Sequence, residues 1–441
     1  MSKKLLFKNV ASLSLIQIAN YIFPLITIPI TSRLFGPEKF GVINYAAAFM
    51  VYFNLLINYG FDLTATRKIS KDANNIILRN YIFSEVMNVK ILLFVVSLII
   101  FSVSLYNVQP LNLEKKVAIF TFIGCIGVVF NQNWLFQSMQ ELHKVTLVNF
   151  GGRFLFTIAI VAAIKQQEDY IWQPLISSLI TICISVITFF WSLKRYKVKY
   201  IQISFKNIIN VLWSEKIVFF SIIIVSLYTT TNIVILGFYQ NETQVGYYSA
   251  GQRLMDVIRS VISLPLSMAL FPYIGKAFGE NKKSGIIIVQ KALPLVMLCT
   301  GLMGVIMVSI GPNILKVFFG NKYEPAVQAF QVLSFIPMVV SLSNLFGVQI
   351  MLHLKMDKLF LYTTSIGATI SIILNVILVQ KYGFIGTAIA WLITEILITL
   401  TMYVLLRING INPVDTKFFR LYFIKQQLNP LINTLVKANR M

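Results

Sequence analysis

Residues Ser249–Ser267 read SAGQRLMDVIRSVISLPLS. Long apolar sequence surrounds this stretch, yet it carries Arg253, Asp256 and Arg259 at three-residue spacing. On a helix each residue advances by about 100°, and Ser249, Gln252, Arg253, Asp256, Arg259, Ser260, Ser263 and Ser267 then share an arc of about 120°. Leu254, Val257, Ile258, Val261 and Ile262 fall elsewhere. An arginine or aspartate at the bilayer centre costs about 2.5–3.5 kcal/mol even on the lenient scale. Three such charges facing lipid are prohibitive, so the stretch predicts a membrane helix whose polar face meets water or protein.

The rest of the chain agrees. Of 441 residues, 57% are hydrophobic and 12% charged, against roughly 25% charged in soluble proteins. Apolar runs long enough to cross a bilayer recur near 9–32, 42–66, 81–106, 117–140, 147–165, 172–193, 217–239, 246–272, 287–310, 328–351, 359–380 and 384–406. This predicts an all-α polytopic membrane protein of twelve spans. The first run is long and lacks a small-residue cleavage site, so it reads as a retained span.

Net charge is +22, and its distribution explains it. With the N-terminus inside, the inside segments carry 26 Lys and Arg, counting Lys291 at the inner edge of span nine, and the outside loops carry 8. That bias follows the positive-inside rule and places both termini in the cytoplasm. The basic surplus is topological and calls for no nucleic acid.

The longest inside loop, 194–216, divides the spans six and six. The expected organisation is an N-terminal lobe (1–193), a linker (194–216), a C-terminal lobe (217–406) and a basic amphipathic tail (407–441). Alternation of Ile, Phe and Trp with Lys in the linker suggests a helix lying on the cytoplasmic leaflet. The halves are weakly self-similar: RLFGPEKFGVINYAAAF from Arg33 and VILGFYQNETQVGYYSAGQRL from Val234 each cross a short outside loop and enter the next span at Gly41 or Gly246. Two repeated six-helix lobes handling a substrate between them is a transporter plan.

Further polar stripes support it. Gln17, Asn20, Pro24, Thr27 and Thr31 share a face of span one; Asn44, Asn54, Asn58 and Asp62 share one of span two. Span seven has a weaker stripe of Ser221, Thr229 and Asn232. Amides and hydroxyls suit a sugar; Arg253 and Arg259 suit phosphate, which the guanidinium fork grips in a bidentate way. Asp256 would orient the two arginines, or the three would lock the helix to a neighbour. The expected binding set is Arg253, Arg259, Asp256, Gln252, Gln17, Asn20, Asn54, Asn58, Lys90 and Arg153. Lys90 lies mid-span three; Arg153 lies near enough to the inner surface to snorkel. Glu395, mid-span twelve, and Asp62 are candidates for ion coupling, to a proton or sodium gradient.

Cys125, Cys183 and Cys299 are scattered, and His143 and His353 lack companions, so no disulfide or metal site is expected. No GxxxxGK[ST] loop is present, so no nucleotide cofactor is expected. The short outside loops lack the acidic pair that a membrane glycan polymerase or ligase would use.

Three motifs resemble the Wzx-type polysaccharide flippases: TSRLFGPEKFGVINYAAAF (Thr31–Phe49), WLFQSMQELHKV from Trp134, and LNVILVQKYGFIGTAIAWLITE (Leu374–Glu395) with Asn375, Tyr382, Gly383 and Gly386. The resemblance implies two six-helix bundles around a V-shaped cavity, in the fold shared with multidrug (MATE) exporters of one superfamily. It implies an inner-membrane transporter, not an enzyme, moving undecaprenyl-pyrophosphate-linked oligosaccharide for O-antigen or capsule. Partners would be membrane lipids, a polysaccharide polymerase and a chain-length regulator. By position, Arg253 and Arg259 resemble that family's cationic cavity residues. Flippases of the peptidoglycan lipid precursor usually have fourteen helices and an arginine in helix one, which this chain lacks. The alternative reading is a cation-coupled drug exporter of the same fold, although a single Asp256 between two arginines makes a poor cation site. A membrane scaffold is the other.

Overall fold

Two glycines interrupt the two longest helices. Gly36 (φ 71°, ψ 175°) breaks α1, Lys3–Asn58, and Gly383 (φ 55°, ψ −135°) breaks α15, Asp357–Ile408. A side chain at either backbone setting would be strained, so each glycine turns one apolar run into a two-span hairpin. The computed structural model describes residues 3–420 and 422–423, and of 3–22, 225, 227–229, 261–269 and 272 only the course of the backbone.

Between these hairpins run α2 (Phe61–Ser70), α3 (Ile76–Asn107), α4 (Gln109–Leu113), α5 (Lys115–Ile123), α6 (Cys125–Phe130), α7 (Asn133–Ser138), α8 (Leu142–Ala163), α9 (Trp172–Tyr196), α10 (Phe205–Tyr239), α11 (Glu242–Glu280), α12 (Lys282–Phe319), α13 (Ala326–Leu333) and α14 (Ile336–Phe346). A π-turn over Gly347–Met351 follows α14. No strand occurs among the described residues. Nine helical stretches there are long and apolar enough to cross a membrane, two of them the broken hairpins. The multi-pass all-α plan is as expected.

Several expected helices are broken. Span four consists of α5, α6 and α7, separated at Gly124 and at Asn131–Gln132, where Asn131 is extended (ψ 124°). The Asn131 side chain accepts from the Asn133 N–H at 2.9 Å, a local turn that competes with helix continuation. Span two stops at Asn58, because Tyr59 (φ 48°) and Gly60 (φ 81°) are both left-handed.

The linker differs most from expectation. No separate surface helix forms. The α9 helix ends at left-handed Lys197, and α10 starts at Phe205 under a Ser204 cap and runs unbroken to Tyr239. Between them the chain lies along α3. Asn80, Ser84 and Asn88 stand four residues apart on one α3 face. Asn80 Oδ1 accepts from the Lys199 N–H (3.0 Å), Ser84 Oγ from the Ile201 N–H (2.8 Å), and Asn88 Oδ1 from the Tyr200 hydroxyl (3.1 Å). Arg79 donates to the Tyr196 carbonyl at 2.7 Å. An otherwise unpaired extended segment is thereby satisfied by side chains.

By its contacts the chain divides into two units: 1–249 with 316–324, and 250–315 with 325–441. The first unit has an apolar cluster of Phe35, Val42, Ile43, Ala46, Val117, Ile160 and Ile164. In the second, Val289, Leu293 and Val296 of α12 pack with Leu345, Phe346, Ile398, Met402 and Leu406. Ile411, at the head of the tail, joins this cluster, and Gln290 holds the Asn412 carbonyl at 2.7 Å. The basic tail beyond, 424–441, lies outside the described residues.

The WLFQSMQELHKV motif shows its role in the first unit. Trp134, Leu135 and Phe136 are fully buried. Glu141 takes a two-pronged grip from Arg195 (2.6 and 2.7 Å), plus Lys144 (2.6 Å) and the Tyr196 hydroxyl (2.8 Å). Arg195 above all, then Lys144 and Tyr196, hold this carboxyl down to about 2. A depressed carboxyl stabilises the fold above its unfolded value and ceases to as pH falls through its folded value. The thermal midpoint in detergent is therefore expected to drop between about pH 4.5 and 2. In Glu141→Gln that drop should be smaller, with a loss at neutral pH of about 1 kcal/mol because the partners are partly solvated. An identical acid profile in the variant would refute this.

Candidate functional site

The arginine stripe lies on α11, in the second unit. Gly251 rests against the backbone of Phe330, its absent Cβ 3.4 Å from the Phe330 nitrogen, and Leu254, Met255 and Ile258 are buried on the same side. That packing turns the polar arc the other way: Arg253 is exposed, and Gln252, Asp256 and Arg259 are half-buried. Ser249 and Ser260 of the same arc are instead buried, so the open part is Gln252, Arg253, Asp256 and Arg259. Ser263 and Ser267 fall where only the backbone is described.

Arg259 Nη2 lies 3.7 Å from Asp256 Oδ1. That is an ion pair but too long for a hydrogen bond, so the guanidinium fork is not consumed by it. Arg253 is also within electrostatic reach of Asp256. Glu395, read from sequence as separate, belongs to the same neighbourhood. It is 5% exposed, accepts from the Trp391 indole N–H at 3.3 Å, and feels the charge of Arg259. Two guanidiniums and two carboxylates form one electrostatic group within this unit. An added dianion would find fork donors there, and its charge would compete with both carboxylates for the arginines.

The other expected binding residues sit in the first unit, and the structure sorts them. Asn54 Oδ1 accepts from the Cys125 thiol at 3.3 Å, between α1 and α6. Asn58 donates to Asp62 at 2.6 Å across the Tyr59–Gly60 break. Lys90 is only 1% exposed, and its ammonium donates to the carbonyls of Val128 (3.2 Å) and Asn131 (3.1 Å). It serves the break in span four and does not line an open face, which corrects the expectation. Arg153 is exposed beside exposed Phe154 and Leu155, a lipid-facing setting that suits snorkelling. Thr27 and Thr31 are buried with their hydroxyls on carbonyls of their own helix. Gln17 and Asn20 lie outside the residues whose side chains are described.

A contact at the Gly36 end of the first unit was only hinted at by sequence. Gly41 and Gly246, each at the entry to a span in the two weakly similar stretches, face each other. A Cβ on Gly41 would lie 1.8 Å from the Glu242 oxygen; one on Gly246 would lie 1.9 Å from the Pro37 oxygen. Residues 316–324 cover this crossing. Tyr323 donates to the Ser32 carbonyl at 3.2 Å, Arg33 donates to the Val317 carbonyl, and Phe40 meets Phe319 edge-on at 5.9 Å. Their entry into equivalent spans was legible; that they touch was not. A second missed feature is Tyr59, stacked on Phe219 at 4.2 Å with its hydroxyl on the Leu212 carbonyl.

A relative in Escherichia coli (strain K12), described as "Putative O-antigen transporter", is 29% identical over 409 residues, 92% of this chain and 98% of the relative. Among solved structures, "Lipid II flippase MurJ, inward closed conformation" superposes with a TM-score of 0.74 at 16% identity, covering 96% of this chain and 92% of its own. An inward-facing multidrug resistance MATE family transporter of the MOP superfamily gives a TM-score of 0.72 at 14% identity, covering 91% and 98%. At such identities these two establish the fold alone, and it is the MATE-like fold anticipated from the sequence motifs. Residues 6–278 match the family described as polysaccharide biosynthesis protein. With more than half of its length inside that match, this multi-pass membrane protein belongs to the polysaccharide biosynthesis protein family.

Proposed function

We propose that the chain is a flippase for lipid-linked polysaccharide precursors. Specifically, it moves undecaprenyl-pyrophosphate-linked oligosaccharide across the bacterial inner membrane for O-antigen or capsule synthesis, exposing its site to one membrane face at a time. The observation that carries this reading is the pair of α11 arginines on one face, with Arg259 standing 3.7 Å from Asp256. Pyrophosphate is the cargo group that such forks recognise, and the name borne by the E. coli relative points the same way. A proton or sodium gradient is the proposed driving force, with Glu395 and Asp62 as the carboxylates that respond to it. A polymerase and a chain-length regulator would take up the product.

The test is a strain lacking this protein. Undecaprenyl-pyrophosphate oligosaccharide should accumulate on the cytoplasmic leaflet, and wild-type protein should clear it. No accumulation, unchanged surface polymer and raised drug sensitivity would reject the reading in favour of a drug exporter of the same fold.

A further inference from the structure

Lys90 is the one lysine among the described residues with its side chain in the buried set. It stands fourteen residues into α3, about 21 Å along the helix at 1.5 Å per residue. Its partners are unusual. The two carbonyls it touches belong to the interruption between α6 and α7. A regular helix would give the Asn131 carbonyl the N–H of Leu135, but that N–H goes to the Gln132 carbonyl at 2.9 Å. Carbonyls released at a helix break within a membrane must find another donor or a cation. Here the donor is an ammonium, which also suits the negative end of α6. Asp62, beside the break in span two, is within electrostatic reach.

Carbonyl oxygens from an unwound span with a carboxylate nearby are the materials with which transporters hold a free cation. We propose that the Lys90 ammonium is a built-in cation, tethered in a carbonyl site that would otherwise bind a free alkali-metal ion. That carbonyl site is thus permanently loaded. Removing the lysine opens a site for sodium or potassium, whatever the cargo.

The experiment compares thermal unfolding of the purified full chain in sodium, potassium and N-methylglucamine chloride at equal concentration. The shift of Lys90→Ala relative to wild type is read in each salt. Lys90→Ala should unfold lower than wild type in N-methylglucamine. It should recover in sodium or potassium by about 3 °C or more, saturably. Lys90→Ser, which adds an oxygen, should recover likewise. Lys90→Met fills the space with an uncharged stem and should unfold low in all three salts. Equal losses for Lys90→Ala in every salt would show a mere helix cap and overturn the proposal. So would recovery in Lys90→Met, or failure of both small variants to fold in sodium and potassium. The readout is unfolding, so this result and the flippase assay stand or fall separately.

Discussion

Gly246→Ala is expected to reduce polymer export by about tenfold or more at unchanged protein level, with a lower thermal midpoint. The methyl would meet the Pro37 oxygen at 1.9 Å, and a backbone atom inside a helical turn cannot swing aside as a flexible side chain can. Overpacking of this kind costs about 1–3 kcal/mol, and 1.4 kcal/mol shifts a conformational equilibrium tenfold. The cost falls on any state in which these helices touch, so a transport cycle that visits the state is depleted of it. Gly41→Ala should behave alike, and the double variant should be little worse than either, since both break one contact. Gly251→Ala, with ordinary 3.4 Å spacing, and Gly151→Ala, with open space, are the controls. Full export and stability in Gly246→Ala would show that the close crossing has no role.

Charge reversal of both arginines, Arg253→Glu with Arg259→Glu, should abolish export. Four acidic groups would then face any phosphate. Single alanines should lower export, Arg259→Ala more than Arg253→Ala, because its loss leaves Asp256 and Glu395 without their nearer cation. Arg259→Lys should restore part of the activity, since charge returns without the two-pronged fork. Asp256→Asn decides between two roles. Export kept or improved means the arginines serve an anion that the aspartate competes with. Loss equal to that of Arg259→Ala means the pair is structural, with Asp256 holding Arg259 in place along α11.

Hydropathy made the span plan and the polar arc of α11 legible, because both depend only on which side chains recur at which period. The breaks were not. The Tyr59–Gly60 and Asn131–Gln132 interruptions depend on where side-chain oxygens and carbonyls from distant segments lie, as with Tyr59 on Leu212 and Lys90 on Val128. Lys197 adopts a left-handed setting usually given to glycine, so nothing local announced the end of α9. Lys90 and Arg153 are each a single cation in an apolar run, and sequence told them apart only by depth. Packing shows their surroundings, one buried on carbonyls and the other exposed among exposed apolar side chains.

The segment laid along α3 bears on how this chain can be cut and tagged. A long polar stretch midway through a membrane protein is where one would split a gene, insert a reporter or expect a protease to nick. Here Lys199 and Ile201 give their backbone N–H groups to Asn80 and Ser84, so the midpoint of the gene is stitched into one half of the product. Two separately expressed fragments would have to divide a laced seam. The Lys165–Gln166 turn is a better site for a reporter: it is exposed, and its ties are local, to Asp169 alone through backbone N–H groups.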